Sequence, residues 1–208
     1  MPNDIIKKDN QLHSPAVPIQ VNIGPKANYF EHVDNLNLTE KHINISTTVN
    51  GNTITSNIQP NNDYYNLFVL DSEEFAKGYF VINRQDALLH LDNEAKEIHH
   101  KDNFNSLIRC LLYPCLFANK NSLSYKKAAD NQLSYFGYLA NIEETQEGYK
   151  FFFSIVSSLP QNIFNDNCAA FNLKTSIGEN ELDKVHWSIK KKNIIKSIRS
   201  LGFNVAAY

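Results

Sequence analysis

Glycine is scarce in this chain, with seven in 208 residues. None falls in G-x-x-x-x-G-K-[ST] or G-x-G-x-x-G spacing, so the loops that cradle a nucleotide phosphate on bare backbone are excluded. Cysteine is scarcer still. Cys110, Cys115 and Cys168 form an odd set without a C-x-x-C pair, which excludes a disulfide framework and a zinc ribbon and fits a reducing cytoplasm. There is no G-x-S-x-G and no cysteine in a nucleophile context, so acyl transfer of a familiar kind has no footing. Neither H-E-x-x-H nor H-x-E with C-x-x-C is present, and no metal or cofactor is expected. No stretch approaches the roughly 20 apolar residues that span a bilayer, and residues 1–19 lack the apolar core of a signal peptide. The chain therefore reads as cytoplasmic, with no membrane partner. An excess of positive charge is missing too: 20 basic against 22 acidic residues give a formal net charge of -2. Contact with nucleic acid would have to come from a local patch.

What is present suffices for a core, since 42% of residues are hydrophobic and 12% aromatic, and the length fits one domain with or without an arm. Asn is abundant throughout while Arg is rare, a composition expected of an AT-rich, bacterial genome. Residues 1–18 hold Pro2, Pro15 and Pro18 among polar residues without periodicity, the pattern of a tail. From Ile43 to Val49 β-branched residues alternate with Asn44, Ser46 and Thr48, Asn50-Gly51 supplies a type I′ turn, and Thr53 to Ile58 returns. Such a hairpin is too thin to stand alone in water. It is expected to lean on its own domain, on a partner protein or on a second copy. The composition shifts after Pro60, which divides the chain into a tail and hairpin arm (1–62) and a core domain (63–208).

In the core domain, Tyr64 to Leu70 and Tyr79 to Ile82 read as buried strands, with Asn83 capping a helix through Leu91. Asp102 would cap a second helix carrying the apolar stripe Phe104, Leu107, Ile108, Leu111 and Cys115, which Pro114 ends or kinks. Ser134 to Ile142 and Tyr149 to Val156 read as an antiparallel pair, and Phe151-Phe152-Phe153 implies a strand covered on both faces. Pro160 suits the first turn of a helix running to Phe171. The order predicts an α+β fold with a small, curved mixed sheet or half-barrel.

The segment Glu181 to Gly202 is the strongest lead to a partner, because it holds the only Trp and six of the 20 basic residues. If Lys184 to Lys190 is extended, Val185, Trp187 and Ile189 face the core while Lys184, His186, Ser188 and Lys190 share the other face. Neighbouring lysines keep His186 neutral, and an approaching phosphate would reverse that. A helix capped by Asn193 follows, with Ile194, Ile195, Ile198 and Leu201 inward, Lys196, Ser197, Arg199 and Ser200 outward, and Gly202 as its stop. Lys184, His186, Lys190, Lys191, Lys192, Lys196 and Arg199 thus form an expected nucleic-acid or anion-binding surface, with unpaired helix N–H groups at its entrance. Tyr125, Tyr135, Tyr138 and Tyr149, near Lys126, Lys127 and Lys150, are candidates for stacking on bases.

Competing chemistry is thin. His99-His100 are adjacent, point in different directions on any regular element, and read as a surface linker. Glu94-Ala-Lys96, downstream of Asp86 and Asp92, resembles half of a restriction-type metal site, but a nuclease of that kind wants the tripeptide on a buried strand and this segment is polar throughout.

The pattern Tyr135-Phe-Gly-Tyr138, Gly148-Tyr-Lys-Phe151, Leu159-Pro-Gln161, Asn180-Glu-Leu182 and His186-Trp-Ser-Ile-Lys190 with Asn193 resembles a group of uncharacterised bacterial proteins over residues 110–204. With no function assigned to that group, the resemblance implies a recurring His186-Trp187 unit and no catalytic residue. The curved sheet with a basic strand-helix ending is similar to small barrel modules of the PUA-like kind, which accommodate modified or flipped bases, a likeness at the level of fold. The expectation is a non-enzymatic binding or adaptor subunit, oligomeric or partnered through its arm, in a bacterial multi-protein system such as phage defence. A metal-dependent nuclease and a purely structural interaction subunit are the alternatives.

Overall fold

A computed structural model describes residues 61–72, 75–99, 107, 109–123 and 125–205, together with the backbone of three short N-terminal strands. Strand β4 (Tyr65–Leu70) is buried at every position, as befits a strand covered on both faces. It pairs in parallel with β6 (Pro114–Asn119) and antiparallel with β9 (His186–Lys190). Strands β7 (Leu133–Glu144) and β8 (Gly148–Pro160) extend the sheet as a long antiparallel pair, and β5 (Tyr79–Asn83) forms the far edge, giving the order β5-β8-β7-β6-β4-β9.

This sheet is curled into a half-barrel. Four strand spacings separate β8 from β9, about 19 Å along a flat sheet. Yet the rings of Phe151 on β8 and Trp187 on β9 lie 4.8 Å apart, and those of Phe80 on β5 and Phe68 on β4 lie 4.9 Å apart. Register shifts at Phe136/Gly137 and Leu139/Asn141 in β7 accompany the bend, since a bulge strengthens local twist. Gly137 is required at the first of them, because a Cβ there would sit 2.0 Å from the Ser154 carbonyl oxygen.

The concave side is filled by Phe68, Phe80, Phe117, Phe151, Phe153 and Trp187, so it is core and not a groove. Asn66 anchors it from within: its Oδ1 accepts from Trp187 Nε1 at 3.2 Å while its Nδ2 donates to the Cys110 carbonyl at 2.8 Å. The convex side of β4 and β6 carries Tyr65, Leu67, Val69, Leu116 and Ala118. They pack against Phe164 of α2 (Asn162–Asp166), Phe171, Leu182, and the Ile194, Ile195 and Ile198 ridge of α3 (Ile194–Ser200). Helix α1 (Asn93–Ile98) contributes Ala95 to the concave core. The fold is mixed α+β with few helices.

Backbone pairing also joins β1 (Ile19–Val21), β2 (Ile43–Val49) and β3 (Asn52–Ile58) in a separate sheet, with Ile43 opposite Ile58 and Val49 opposite Asn52. The tail 1–18, the Asn50-Gly51 turn, Asp102, Phe104 and Ile108 lie outside the described residues.

Several local expectations are corrected. Asn83 makes no side-chain cap, and only a 3-10 turn (Arg84–Asp86) follows it, because the chain turns through left-handed Leu88 and His90. Cys115 belongs to β6 and not to a helix, and Pro114 opens that strand instead of ending a helix, a position where the missing N–H costs nothing. Phe152 is not enclosed: Phe151 and Phe153 are core, while Phe152 lies half-buried beside Tyr79 with Lys150 over both rings. Pro160 ends β8, and the expected helix to Phe171 breaks at Asn167 into α2 and a 3-10 turn (Cys168–Phe171).

Candidate functional site

Asn180 and Asp183 form a capping box around the 3-10 turn Glu181–Asp183: the Asn180 N–H donates to Asp183 Oδ2 at 2.6 Å, and the Leu182 N–H donates to Asn180 Oδ1 at 2.9 Å. The box aims Glu181 inward beside β9. Along β9 the alternation is as expected, with Trp187 and Ile189 in the concave core and His186, Ser188 and Lys190 on the opposite face. That opposite face, however, is buried at all three positions. It lies level with Tyr65, Leu67 and Val69 of β4, and the chain after β5 covers its rim, where the Leu89 N–H donates to the Trp187 carbonyl at 2.9 Å.

Burying these groups requires partners. Lys190 Nζ donates to Glu181 Oε1 at 2.5 Å and to the His90 carbonyl at 3.4 Å, and the Lys174 N–H donates to Glu181 Oε2 at 2.5 Å. Burial pushes the Lys190 ammonium below its ordinary range, and the Glu181 carboxylate opposes the shift. His186 Nδ1 stands 2.8 Å from the Lys184 carbonyl oxygen, which can only accept, so Nδ1 carries the proton. Its Nε2 is a lone pair without a hydrogen-bond partner among the described residues, 3.9 Å from Glu181 Oε1. Burial brings the His186 pKa down to about 4, against the opposing pull of the Lys184 carbonyl and Glu181. The exposed His90 ring meets His186 edge-on at 5.0 Å. Chemically, this is a neutral imidazole beside an internal Lys–Glu pair whose ammonium already occupies the carboxylate.

Outside, two more of the predicted cations are held by carboxylates. Lys184 pairs with Glu179 at 2.8 Å, Lys191 pairs with Glu94, and Arg199 donates to the Val205 carbonyl at 3.0 Å while its charge stays uncompensated among the described residues. Asn193 caps α3 by accepting from the Lys196 N–H at 2.9 Å, so one of the helix donors expected to be free is used internally. What remains outside is Lys192, which precedes the Asn193 cap, with Lys196 and Arg199 on α3. The last two line a shallow depression of about 470 Å³ with Asn62, Asn193, Ile195 and Ser200. Among the described residues no acid lines it, and Asn62 Oδ1 is buried without a partner. The seven predicted residues are therefore not one surface: His186 and Lys190 are internal, Lys184 and Lys191 belong to surface ion pairs, Lys196 and Arg199 line one depression, and Lys192 lies before the helix cap. Ser197, expected outward, is buried and donates to the Ala170 carbonyl at 2.7 Å.

The other candidates are dispersed. Tyr149 is buried, Tyr135 and Tyr138 are half-buried, and Tyr125 is exposed. His99 is buried and not part of a surface linker; its Nε2 is 3.3 Å from Tyr113 Oη. Glu94 and Lys96 sit on helix α1, Asp92 is that helix's cap, and Glu94 accepts from Tyr64 Oη at 2.8 Å. A restriction-type strand site is not formed by these residues, and among the described residues no group of three His, Cys, Asp or Glu is placed to hold a metal. Sequence reasoning missed Glu181 and His90. Asn180-x-x-Asp183 could have flagged the first as part of a capped turn, whereas nothing local marks His90.

Fold and site together define a curled α+β half-barrel whose last strand carries an internal ion pair and whose last helix carries a small cationic stripe. Comparisons with protein-family models, with curated proteins and with solved structures find no match to this chain.

Proposed function

We propose that this chain is a non-enzymatic binding or adaptor subunit of a bacterial multi-protein system, of which phage defence is one setting, and that it meets nucleic acid through the stripe Lys192, Lys196 and Arg199. The observation that carries this is the depression on α3, where two of these cations converge with amide and hydroxyl groups and no acid. Lys184, His186, Lys190 and Lys191 do not join the contact, because each is buried or held by a carboxylate.

Three cations make a weak contact, with a salt slope of about -2.7 on double-stranded DNA, so useful affinity would come from assembly with a partner. The N-terminal strands suit that role. Backbone pairing joins them in a small three-stranded sheet, and the alternation of β-branched with polar residues from Ile43 to Ile58 leaves an apolar set too thin to stand alone in water. Electrophoretic titration of the full chain with DNA and RNA at several salt concentrations tests the nucleic-acid contact. Salt-sensitive binding lost on reversing charge at Lys192, Lys196 and Arg199 supports it, and binding that is absent or indifferent to those changes refutes it. Cleavage in the presence of Mg²⁺ that depends on Glu94 would favour the nuclease alternative.

A further inference from the structure

The six-stranded sheet has two edges, and the molecule treats them differently. Along β9 the outer edge is met by the chain after β5, whose Leu89 N–H donates to the Trp187 carbonyl at 2.9 Å. Along β5 no strand or backbone hydrogen bond of the described residues takes that place. The Phe153 N–H donates to the Gly78 carbonyl at 3.1 Å and the Arg84 N–H to the Glu147 carbonyl at 3.0 Å, and bonded pairs alternate along an antiparallel ladder. Gly78, Phe80, Ile82 and Arg84 therefore turn their backbone groups toward β8. Tyr79, Val81 and Asn83 aim their N–H groups away from the sheet, as Tyr79 and Val81 do their carbonyls, and none of these has a hydrogen-bond partner among the described residues.

An open edge of this kind is a template for another strand, and this one lacks the devices that usually blunt it. No charge and no Pro falls between Gly78 and Asn83, and the pairing with β8 runs without a register shift. Phe80 and Ile82 point into the concave core, while Tyr79 and Val81 are exposed on the opposite side. Lys150 on β8 lies over the Tyr79 and Phe152 rings, 4.4 and 4.7 Å from their centroids, and Arg84, just past the strand, pairs with Glu144 at 2.8 Å. These two cations beside the edge are thus engaged within their own chain.

The symmetry of the edge identifies its occupant. The outward groups centre on Val81, with Tyr79 two residues before it and Asn83 two after. A twofold axis at Val81 pairs two copies antiparallel, with Val81 facing Val81 of the second copy and Tyr79 facing Asn83. In that register the two Val81 residues exchange both their bonds and each Asn83 N–H reaches a Tyr79 carbonyl, about four bonds in all. The β-branched Val81 side chains meet across the axis, and a strand without charge has nothing with which to repel its own copy. We infer that β5 is a homodimerisation edge, through which two copies join their half-barrel sheets in one antiparallel ladder centred on Val81. With only five residues in the strand, the interface is small and the association weak.

Sedimentation equilibrium of the full chain over rising protein concentration tests this, and a concentration-dependent dimer is expected. Val81→Pro removes the central donor from each copy but spares the ladder to β8, because that N–H points outward; it should weaken dimerisation by at least about tenfold. Val81→Lys sets like charges across the axis and should do the same. Unfolding temperatures show that both variants remain folded. Register is read by oxidation: Val81→Cys should form a disulfide between copies, since facing Cα atoms lie about 5.5 Å apart, whereas Asn83→Cys, which faces Tyr79, should not. The native chain, with three free cysteines of its own, is the blank. A chain that stays monomeric at every concentration overturns the proposal. So does a dimer that Val81→Pro and Val81→Lys leave intact, which belongs to another surface, or cross-linking of Asn83→Cys as readily as of Val81→Cys.

Discussion

Lys190 and Lys192 stand two residues apart, and their surroundings have almost nothing in common. Lys190 closes β9 with its side chain 2% exposed, clamped at 2.5 Å to a carboxylate that is 3% exposed. Lys192, just beyond the strand, has no ion-pair partner among the described residues and precedes the cap of α3, whose exposed face carries Lys196 and Arg199. A run of like charge in sequence is therefore two devices in space. Inside, charge is a packing problem in which each cation must carry its own anion; outside, it is a field available to a partner. The divide falls where extended backbone gives way to a helix, because the sheet turns residue 190 under the covering loops while residues 196 and 199 follow the outer face of α3.

Substitutions at the two ends should therefore behave oppositely, and the largest effect belongs inside. Lys190→Ala or Glu181→Ala leaves an uncompensated buried charge and should cost about 3–5 kcal/mol, read as a lowered urea midpoint. The joint change Glu181→Leu with Lys190→Met should recover most of that loss. If the single variants were as stable as the native chain, the ion pair would not be the internal device described.

Next in size is a pH effect. In the unfolded chain His186 titrates near its ordinary value of about 6.5, but in the fold only at about 4. Between these values the unfolded state binds more protons, so stability is level above the upper value and falls as pH drops toward the lower one, by about 3 kcal/mol in all. Denaturation series from neutral pH downward should show this loss, and His186→Asn should flatten the difference. An equal slope in the variant would place the titrating group elsewhere.

Smaller again is the cap. Asn193→Ala removes the acceptor for the Lys196 N–H and should cost about 1 kcal/mol, and Asn193→Asp should restore it. Smallest of all, Lys192→Ala, Lys196→Ala and Arg199→Ala should each change stability by less than about 0.5 kcal/mol. A large loss at any of them would mean that the outer stripe is part of the packing after all.

Much of the chain was legible because the signals are local. Alternation in His186 to Lys190 assigned Trp187 and Ile189 to the core, Asn193 announced α3, and Gly202 adopts the positive φ, 86°, expected of its stop. The β7–β8 pair followed from two long β-rich runs flanking a polar turn. The failures are of another kind. Between Leu107 and Ala118 nearly every residue is apolar, so helical and extended spacing fit equally well, and Cys115 was assigned to the wrong element. Alternation put His186, Ser188 and Lys190 on one face correctly, while Lys184 falls outside β9 and stays exposed; only the packing of the Glu181 turn and of the His90 loop, the latter distant in sequence, decides that the face is dry. The partner of Lys190 was equally out of reach, since Glu181 acquires its meaning from a capping box that aims it inward.

Fluorescence anisotropy of a labelled single-stranded oligonucleotide, titrated at several salt concentrations, separates the two ends of the run most sharply. The native chain and the Glu181→Leu, Lys190→Met double variant should bind alike, with a salt slope of about -2 for three contacts. Lys192→Glu with Lys196→Glu and Arg199→Glu should abolish binding while leaving the unfolding temperature unchanged. Binding lost in the double variant but kept in the triple one, or no binding by the native chain at any salt concentration, would contradict the assignment of the inner lysine to the fold and the outer stripe to a partner.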